Sequence, residues 1–241
     1  GLDPKDYETR FRRRFDPIFL PFLQKCEAAG YAVRENGRWH LTPKGFLVSN
    51  QVIGELLDAG LPVFTELNLV DDGYDALIAK AAQKGLPLFL SSTMLYRAET
   101  QYIKAAFAKP VNYIYHIGQY LPDWHPWENY KNFFVGDRRT GGVREIFGID
   151  LPWLLDAFGP VKHVYAEKDK LSGLEIDYPD SYFVTLRHEN GTKGLLAADV
   201  VSPKAVRNFE VFGEGLHLFW EGNPRALYSY NAETREKEFV D

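Results

Sequence analysis

VNYIYHIGQYLPDWHPWENYKNFFVGDRRTGGVREIFGIDLPWLLDAFG, residues 111–159, is the stretch around which the chain is organised. Its β-rich start, residues 111–115, leads into a loop that carries the ring side chains of Tyr120, Trp124, His125 and Trp127. The pair Gly141-Gly142 then opens a segment that we predict to be helical, with Glu145 and Asp150 on it. Rings stack on the apolar faces of sugars and carboxylates accept hydroxyl hydrogen bonds, so the pattern favours a polyol or sugar site. The alternative is that these rings are simply core residues.

The composition is that of an ordinary folded protein. With 241 residues the chain can bury a sizeable core in one large or two small domains. Its formal net charge of −5 argues against a general nucleic-acid binder. The single cysteine, Cys26, excludes an internal disulfide and a thiolate metal cluster. No apolar run approaches the ~18–20 residues of a membrane span, and the start lacks a signal-peptide pattern, so we expect a soluble cytoplasmic protein without a membrane partner.

Residues 1–57 form a first predicted domain. Residues 17–29 have the apolar spacing of a helix, and two short strands, residues 31–34 and 38–41, flank an Asn36-Gly37 turn. Thr42 followed by Pro43 is typical of the start of another helix. This order of helix, hairpin and helix predicts a small winged-helix-like unit.

The segments YETRFRRRF, GYAVRENGRWH and LTPKGFLVSNQVIGELL of this domain resemble the C-terminal tail of the oxygen-independent coproporphyrinogen III oxidases, which are radical-SAM enzymes. That family's cysteine triad lies in a barrel that is absent here, so the resemblance does not imply its chemistry. The arginines Arg10, Arg12, Arg13 and Arg14 suggest a DNA-binding regulator as one alternative. A solvated charge run is the simpler interpretation, and we do not expect a nucleic-acid partner.

From residue 58 onward the pattern becomes α/β. Residues 61–65 and 86–90 are buried-type strands on either side of an amphipathic helix, residues 71–84, which predicts a partial Rossmann-type βαβ segment within residues 58–97. In residues 98–241 we predict a helix at 102–107 and then successive strands at 161–166, 181–188, 193–201, 207–212, 216–220 and 226–230. The predicted fold class is therefore α/β (α+β), with a mostly antiparallel sheet covered by helices on one face.

The segments AGLPVFTELNLV, SSTMLYR, QYLPDWHPWENY, TGGVREIFGIDLPWLLDAFG and GLLAADVVSP resemble the Gfo/Idh/MocA oxidoreductases over residues 58–241. The resemblance implies a Rossmann domain that binds NAD or NADP, followed by an α/β domain whose open sheet binds substrate and forms oligomer contacts. It implies hydride transfer at a carbon of a sugar, sugar nucleotide or cyclitol, and a homo-oligomer joined through the C-terminal sheet.

The chain departs from that family at three motifs. Nothing matches the glycine-rich loop G-x-G-x-x-G that holds the pyrophosphate of a dinucleotide. The family's Glu-Lys-Pro motif falls on Glu66, Leu67 and Asn68, so its lysine is replaced by leucine. The family's D-x-G-x-H helix falls on Glu145, Phe147 and Ile149, so its histidine is also replaced.

These alignments give the candidate site residues. Removal of a hydroxyl proton needs a general base, for which the candidates are Glu145, Asp150 and His125. Glu145 and Asp150 are about 140° apart on a helix, so both cannot point into one pocket, and we favour Glu145. The cofactor-binding candidates are Glu66, Asn68 and Arg97, and the substrate-binding candidates are Tyr120, Trp124 and Trp127. His116, Asp123 and His125 lack a second ligand cluster, so no metal site is expected.

Three hypotheses remain at this stage. The chain is an NAD(P)-dependent oxidoreductase-like protein, or a non-catalytic sugar-binding or oligomerisation domain derived from one, or a winged-helix regulator. The missing glycine loop and Leu67 favour the second. The change of pattern at residues 54–60 indicates a chimeric junction, and we expect the end at Asp241 to be a truncation that leaves a sheet edge and favours oligomerisation.

Overall fold

A computed structural model describes residues 2–67 and 69–240. The chain divides into two compact units, and the boundary in the sequence falls between Ser91 and Ser92. Asn68, one of the predicted cofactor residues, lies outside the described residues. None of the helices in the described part of the chain is long and apolar enough to cross a membrane. We call the part up to Ser91 the first unit and the part from Ser92 the second unit.

The first unit contains five helices and four strands among its described residues. In chain order they are α1 (Pro4–Phe11), α2 (Asp16–Ala28), β1 (Ala32–Glu35), β2 (Arg38–Leu41), α3 (Pro43–Phe46), α4 (Ser49–Asp58), β3 (Val63–Thr65), α5 (Tyr74–Lys84) and β4 (Leu88–Leu90). The predicted hairpin is confirmed: β1 and β2 pair antiparallel around Asn36 and Gly37, which both have positive φ. Thr42 caps α3 as predicted, since its hydroxyl accepts a hydrogen bond from the Gly45 N–H at 3.0 Å.

Helix α1 was not predicted. The carboxylate of Asp3 caps it by accepting hydrogen bonds from the Lys5 and Asp6 N–H groups, and Pro4 occupies its first position. None of its eight residues is buried, so the apolar period that usually reveals a helix is missing. Capping, rather than an apolar face, therefore marks this helix.

The βαβ segment of the first unit is short and has one covered face. Strands β3 and β4 pair parallel, and α4 and α5 pack on one side of them through Ile53, Leu57, Val63, Leu77 and Ala81. On the other side, Phe64 and Phe89 lie opposite each other in the pairing and are 72% and 61% exposed. This two-stranded parallel sheet thus leaves one face uncovered, whereas parallel sheets normally have both faces covered.

The second unit is built on an eight-stranded sheet. Its helices and strands are α6 (Ala98–Ala105), β5 (Asn112–Gly118), α7 (Gly142–Phe158), β6 (Val161–Asp169), β7 (Ser181–His188), β8 (Lys193–Asp199), β9 (Val206–Gly213), β10 (Leu216–Trp220), β11 (Leu227–Tyr230) and β12 (Lys237–Phe239). The strand order is β12-β11-β10-β9-β5-β8-β7-β6, with β5 and β8 parallel and the other neighbours antiparallel. The predicted mixed α/β fold with a mostly antiparallel sheet is confirmed.

Alternation along the central strands separates the two faces of this sheet. Tyr113 and Tyr115 of β5 are buried under α7, where their rings pack against Phe158 and Trp153. Gly194 of β8 leaves the space for the Tyr113 ring, because a Cβ there would lie 2.0 Å from the ring's Cζ. The opposite face carries exposed apolar side chains, among them Ile114, Tyr165, Phe183 and Leu195. We call this second surface the open face.

One helix boundary and one additional strand in the second unit differ from the prediction. The helix predicted at residues 102–107 is α6, which begins earlier, because the buried hydroxyl of Thr100 donates to the carbonyls of Met94 and Arg97 and ties the polar first turn into the fold. Strand β12 was not predicted, since its three exposed residues lack an apolar pattern and gain their order by pairing with β11.

Candidate functional site

The start of α7 is fixed by close packing at Gly142. A Cβ at this position would lie 2.9 Å from a methyl of Val200 and 3.0 Å from a methyl of Leu121. The Gly142 N–H donates to the Tyr178 hydroxyl at 3.2 Å, which holds the first turn of the helix. Glu145, which lies in this first turn, therefore projects from a rigid support.

Glu145 lines a cavity of about 430 Å³ that lies wholly within the second unit. The wall consists of the end of β5, the following loop, α7, the start of β9 and the β10–β11 loop. Three predicted site residues, Trp124, His125 and Glu145, meet here. We call this space the Glu145 cavity. Its polar wall residues are Gln119, His125, Glu145, Arg207, Glu221 and Asn223.

Burial raises the pKa of the Glu145 carboxyl to about 7, and the nearby His125 offsets a small part of that effect. One carboxyl oxygen, Oε2, is buried without a hydrogen-bond partner. Such a carboxyl gains and loses a proton near neutral pH, as a general acid or base requires. The side chain thus combines the position and the titration range of a proton-transfer group.

His125 is held on three sides. Its Nδ1 donates to Glu128 Oε1 at 2.7 Å, which leaves Nε2 as the nitrogen free to act in the neutral ring. The ring stacks on Trp127 with centroids 4.8 Å apart and contacts Phe133 at 4.1 Å. Trp127 itself is 76% exposed and does not line the cavity.

Asp150 lies in a separate, buried network. Its carboxylate accepts hydrogen bonds from the Tyr115 hydroxyl at 2.6 Å, from Trp153 Nε1 at 3.2 Å and from Arg207 Nη2 at 2.9 Å. Burial raises its pKa, while Arg207 and these hydrogen bonds oppose the rise. With its oxygens occupied, Asp150 is placed to hold Arg207 at the cavity wall rather than to touch a ligand.

Arg97 is engaged by the protein itself. Its Nη1 donates to the Gly222 carbonyl at 3.2 Å, and its guanidinium lies over the Trp220 ring at 5.5 Å. The neighbouring Glu99 accepts a hydrogen bond from the Arg225 N–H at 3.1 Å. These contacts attach the start of α6 to the β10–β11 loop, which supplies part of the cavity wall. The cofactor-binding role of Arg97 stays a prediction.

The remaining predicted residues lie outside the cavity. Tyr120 precedes the 3₁₀ turn Leu121–Asp123. Glu66 follows β3 in the first unit. The predicted roles of Tyr120 and Glu66 thus stay predictions.

Arg207, Glu221 and Asn223 are cavity residues that the sequence did not reveal. The sequence contained one indication that Arg207 is a site residue. It lies on the core-facing side of strand β9, where the next residues on the same side, Phe209 and Val211, are buried. A charged residue on such a face needs a partner, which indicates a site or a buried ion pair.

The βα junction of the first unit does not fit the pyrophosphate of a dinucleotide. Pyrophosphate is bound by free N–H groups at a helix N-terminus, helped by the positive end of the helix dipole. Here Asp71 and Asp72 precede α5, and Asp75 lies in its first turn, so carboxylates surround that terminus. Among the described residues, no group of three His, Cys, Asp or Glu side chains is arranged to hold a metal ion.

Comparison with sequence families concerns the first unit. The model of the HemN C-terminal domain matches residues 1–48, in agreement with the predicted resemblance to the coproporphyrinogen III oxidase tail. No curated protein matches the chain.

Solved structures with this fold are NAD-binding oxidoreductases of the Gfo/Idh/MocA type, as predicted. An inositol dehydrogenase homolog from Azotobacter vinelandii complexed with NAD+ has a TM-score of 0.65 at 14% identity, over 79% of this chain and 53% of that chain. UDP-N-acetylglucosamine 3-dehydrogenase from Acidithiobacillus ferrooxidans has a TM-score of 0.64 at 20% identity, over 98% of this chain and 70% of that chain. The WlbA dehydrogenase from Bordetella pertussis, in complex with NADH and UDP-GlcNAcA, has a TM-score of 0.61 at 18% identity, over 92% and 71%. The chain thus spans about half the length of the first of these proteins.

Proposed function

We propose that the second unit binds a sugar-like polyol in the Glu145 cavity, as the substrate-binding part of an oxidoreductase-type protein. The observation that carries this proposal is the half-buried Glu145 carboxyl, with a pKa of about 7, beside His125 in a cavity of about 430 Å³. The ligand class is a sugar, sugar nucleotide or cyclitol. Structures of the same fold include dehydrogenases named for inositol and for UDP-N-acetylglucosamine, which supports this class.

The chemistry available to this chain's own residues is proton transfer. Glu145, when ionised, would accept the hydrogen of a ligand hydroxyl and can hold that proton near neutral pH. His125 Nε2 and Asn223 would fix neighbouring hydroxyls, and the Trp124 ring would cover an apolar face of the ligand. Arg207, held by Asp150, would donate to a ligand oxygen.

The fold suggests hydride transfer to NAD or NADP as the reaction class. We propose that the site descends from that of an enzyme which carried out this reaction. The carboxylates around the α5 N-terminus do not fit the pyrophosphate, and we therefore derive no hydride step for this chain. Titration of NADH and NADPH fluorescence with the purified protein up to millimolar concentration tests this point. Saturable binding at micromolar concentration would mean that a dinucleotide cleft is completed by other residues, whereas absence of binding would leave a polyol-binding domain.

The open face of the sheet supports a second part of the proposal, a homo-oligomer. Ile114 of β5 and Leu195 of β8 are register partners on that face, and both are exposed. Exposed apolar side chains that are contiguous across neighbouring strands are typical of a surface buried by another chain. A second copy of this chain is the partner we propose.

Ligand-observed NMR tests the polyol site directly. The probes are myo-inositol, D-glucose and UDP-N-acetylglucosamine, each measured with the wild type and with Ala205→Trp. Ala205 is an exposed residue on the cavity wall, so a tryptophan there would fill the space at little cost to folding. We expect at least one probe to bind the wild type and to lose binding in the variant. Binding that is equal in both proteins would place the ligand elsewhere.

A further inference from the structure

The positively charged groups on the wall of the Glu145 cavity are already paired. Among the described residues, Arg207 is the only lysine or arginine on that wall, and its Nη2 lies 2.9 Å from a carboxylate oxygen of the buried Asp150. His125 is engaged in the same way, since its Nδ1 lies 2.7 Å from Glu128 Oε1. Neither group therefore offers an uncompensated positive charge to a ligand.

Glu145 is the carboxylate of this wall that lacks such a partner. Its Oε2 is buried without a hydrogen-bond partner in the described part of the chain, and burial raises the pKa of the carboxyl to about 7. The other carboxylate on the wall, Glu221, is exposed and lies 3.9 Å from Lys237 Nζ. A buried carboxylate without a cation beside it costs far more free energy than an exposed one. The ionised Glu145 therefore leaves one uncompensated negative charge at the cavity.

This charge decides which ligand group gains most from the site. A neutral hydroxyl would donate a hydrogen bond to Glu145 but leave the negative charge in place. An ammonium group would donate the hydrogen bond and neutralise the charge, and such charge-assisted bonds are about twice as strong as neutral ones. A carboxylate or phosphate on the ligand would be repelled by Glu145, because Arg207 is already engaged by Asp150. The expected order of affinity is cationic, then neutral, then anionic.

We infer that the ligand of the Glu145 cavity is a polyol that carries a primary amine, such as an amino sugar or an aminocyclitol, and that Glu145 binds its ammonium group. This inference rests on the proposed function of the cavity. A volume of about 430 Å³ has room for one such ring with its substituents. The amides of Gln119 and Asn223 lie on the same wall and are neutral partners for the remaining hydroxyls. Glu145 thus determines specificity by its charge.

The test compares probes of similar size and different charge. D-glucose is the neutral probe, D-glucuronate is the anionic probe, and the cationic probes carry an amine in place of the hydroxyl at carbon 2, 3 or 6 of glucose. Calorimetry at pH 7 should show that at least one cationic probe binds about 5- to 20-fold more tightly than glucose. Glucuronate should bind more weakly than glucose. N-acetylation of the tightest cationic probe removes its charge and should abolish the gain.

Two variants assign the preference to one carboxylate. Glu145→Gln keeps the size of the side chain and removes its charge, so the tightest cationic probe and glucose should then bind within about 2-fold of each other. Glu221→Gln removes the exposed carboxylate of the same wall, and the preference for the amine should persist. A preference that is lost in Glu221→Gln and kept in Glu145→Gln would overturn the inference, since the amine would then bind to Glu221.

Proton release gives a readout that a merely structural role would not change. At pH 6.5 a carboxyl with a pKa of about 7 is about three-quarters protonated. An ammonium group that binds to Glu145 requires the ionised form, so the tightest cationic probe should release about half a proton or more per ligand bound. Binding enthalpies in two buffers of different ionisation enthalpy measure this release. Glu145→Gln should release none, and equal release in both proteins would contradict the inference.

The remaining outcomes separate this inference from the proposed function. If glucose binds the wild type and no cationic probe binds more tightly, the amine is wrong and the Glu145 cavity remains a polyol site. If glucuronate binds most tightly, the cavity selects an anion and the charge argument is wrong. If no probe of any charge binds the wild type, the proposed function and the inference both fail.

Discussion

Arg207 donates from Nη2 to Asp150 at 2.9 Å, and this ion pair joins strand β9 to helix α7 behind the Glu145 cavity. The Asp150 side chain is buried, whereas the Arg207 side chain reaches the cavity and keeps partial exposure. Removal of one member of such a pair leaves the other charge uncompensated, which costs more than the pair contributes when intact.

We therefore predict that Arg207→Ala lowers the free energy of unfolding by about 3 kcal/mol at pH 8. The pKa of Asp150 is already raised by burial, and loss of Arg207 would raise it further. Because the protonated acid is tolerated when buried, the loss should shrink at pH 4.5. Urea unfolding at both pH values measures this effect. Lys104→Ala removes one member of the exposed pair Lys104–Asp156, at 2.7 Å, and should cost less than about 1 kcal/mol at either pH.

The raised pKa of Glu145 predicts a second effect of pH on stability, in which the substitution stabilises the protein instead of destabilising it. Its folded pKa of about 7 lies above the ordinary value of 4.5, so the folded state binds more protons than the unfolded state between these values. Stability is therefore lost as the pH rises from about 4.5 to 7. Glu145→Gln should raise Tm by about 2 to 6 °C at pH 8 and by much less at pH 4.5. Glu236→Gln, at an exposed position, is the control and should show no such pH dependence. An equal Tm change at both pH values would show that burial does not perturb Glu145.

The contact between Gly194 and Tyr113 predicts the result of adding one methyl group. Gly194→Ala places a carbon 2.0 Å from the Tyr113 ring within the central pair β5–β8, so the strands or the ring must move. We expect a loss of at least about 2 kcal/mol in unfolding free energy. Gly173→Ala introduces its methyl group where no atom lies within 4 Å and should change stability by less than about 0.5 kcal/mol. Similar losses for both variants would contradict the packing described for Tyr113.

The open face predicts the oligomeric state. Leu195→Lys puts a charge in the middle of this face and should convert an oligomer into a monomer, because burying an unpaired charge is costly. Light scattering coupled to size-exclusion chromatography measures the mass. Leu171→Lys, at an exposed loop position outside the sheet, is the matched control and should leave the mass unchanged. A wild type that is already a monodisperse monomer would contradict the proposed contact.

Much of the fold follows from sequence periodicity, and particular residues show where that information ends. The Asn36-Gly37 hairpin and the alternating strands β7 and β10 are local patterns, and they were predicted within a residue or two. Helix α1 and strand β12 have no buried side chain, so no apolar pattern in the sequence predicts them. Their order depends on the Asp3 cap and on pairing with β11, which only a folded chain shows.

The site was predictable for residues of one loop and one helix. Trp124, His125 and Glu145 come together because the loop after β5 and the first turn of α7 are adjacent in the chain and in space. Arg207 and Asn223 come from β9 and the β10–β11 loop, about 60 to 80 residues further along, and the sequence does not show where strand pairing brings them. Glu145 lines the cavity whereas Asp150 lies in a separate buried network. This difference agrees with the helix geometry, which points residues five positions apart in different directions.

The central claim is that Glu145 receives a hydrogen bond from a polyol hydroxyl and titrates near neutral pH. Its most direct test is the pH dependence of polyol affinity, measured by calorimetry between pH 5.5 and 8.5 for the wild type and Glu145→Gln, with the tightest-binding probe. An ionised carboxylate accepts a stronger hydrogen bond than a neutral carboxyl, so the wild type should bind about 3- to 10-fold more tightly above pH 7, with a midpoint near the pKa of about 7. The Gln variant should show no such change. An identical pH profile in both proteins, or a wild-type affinity that does not vary with pH, would contradict the account.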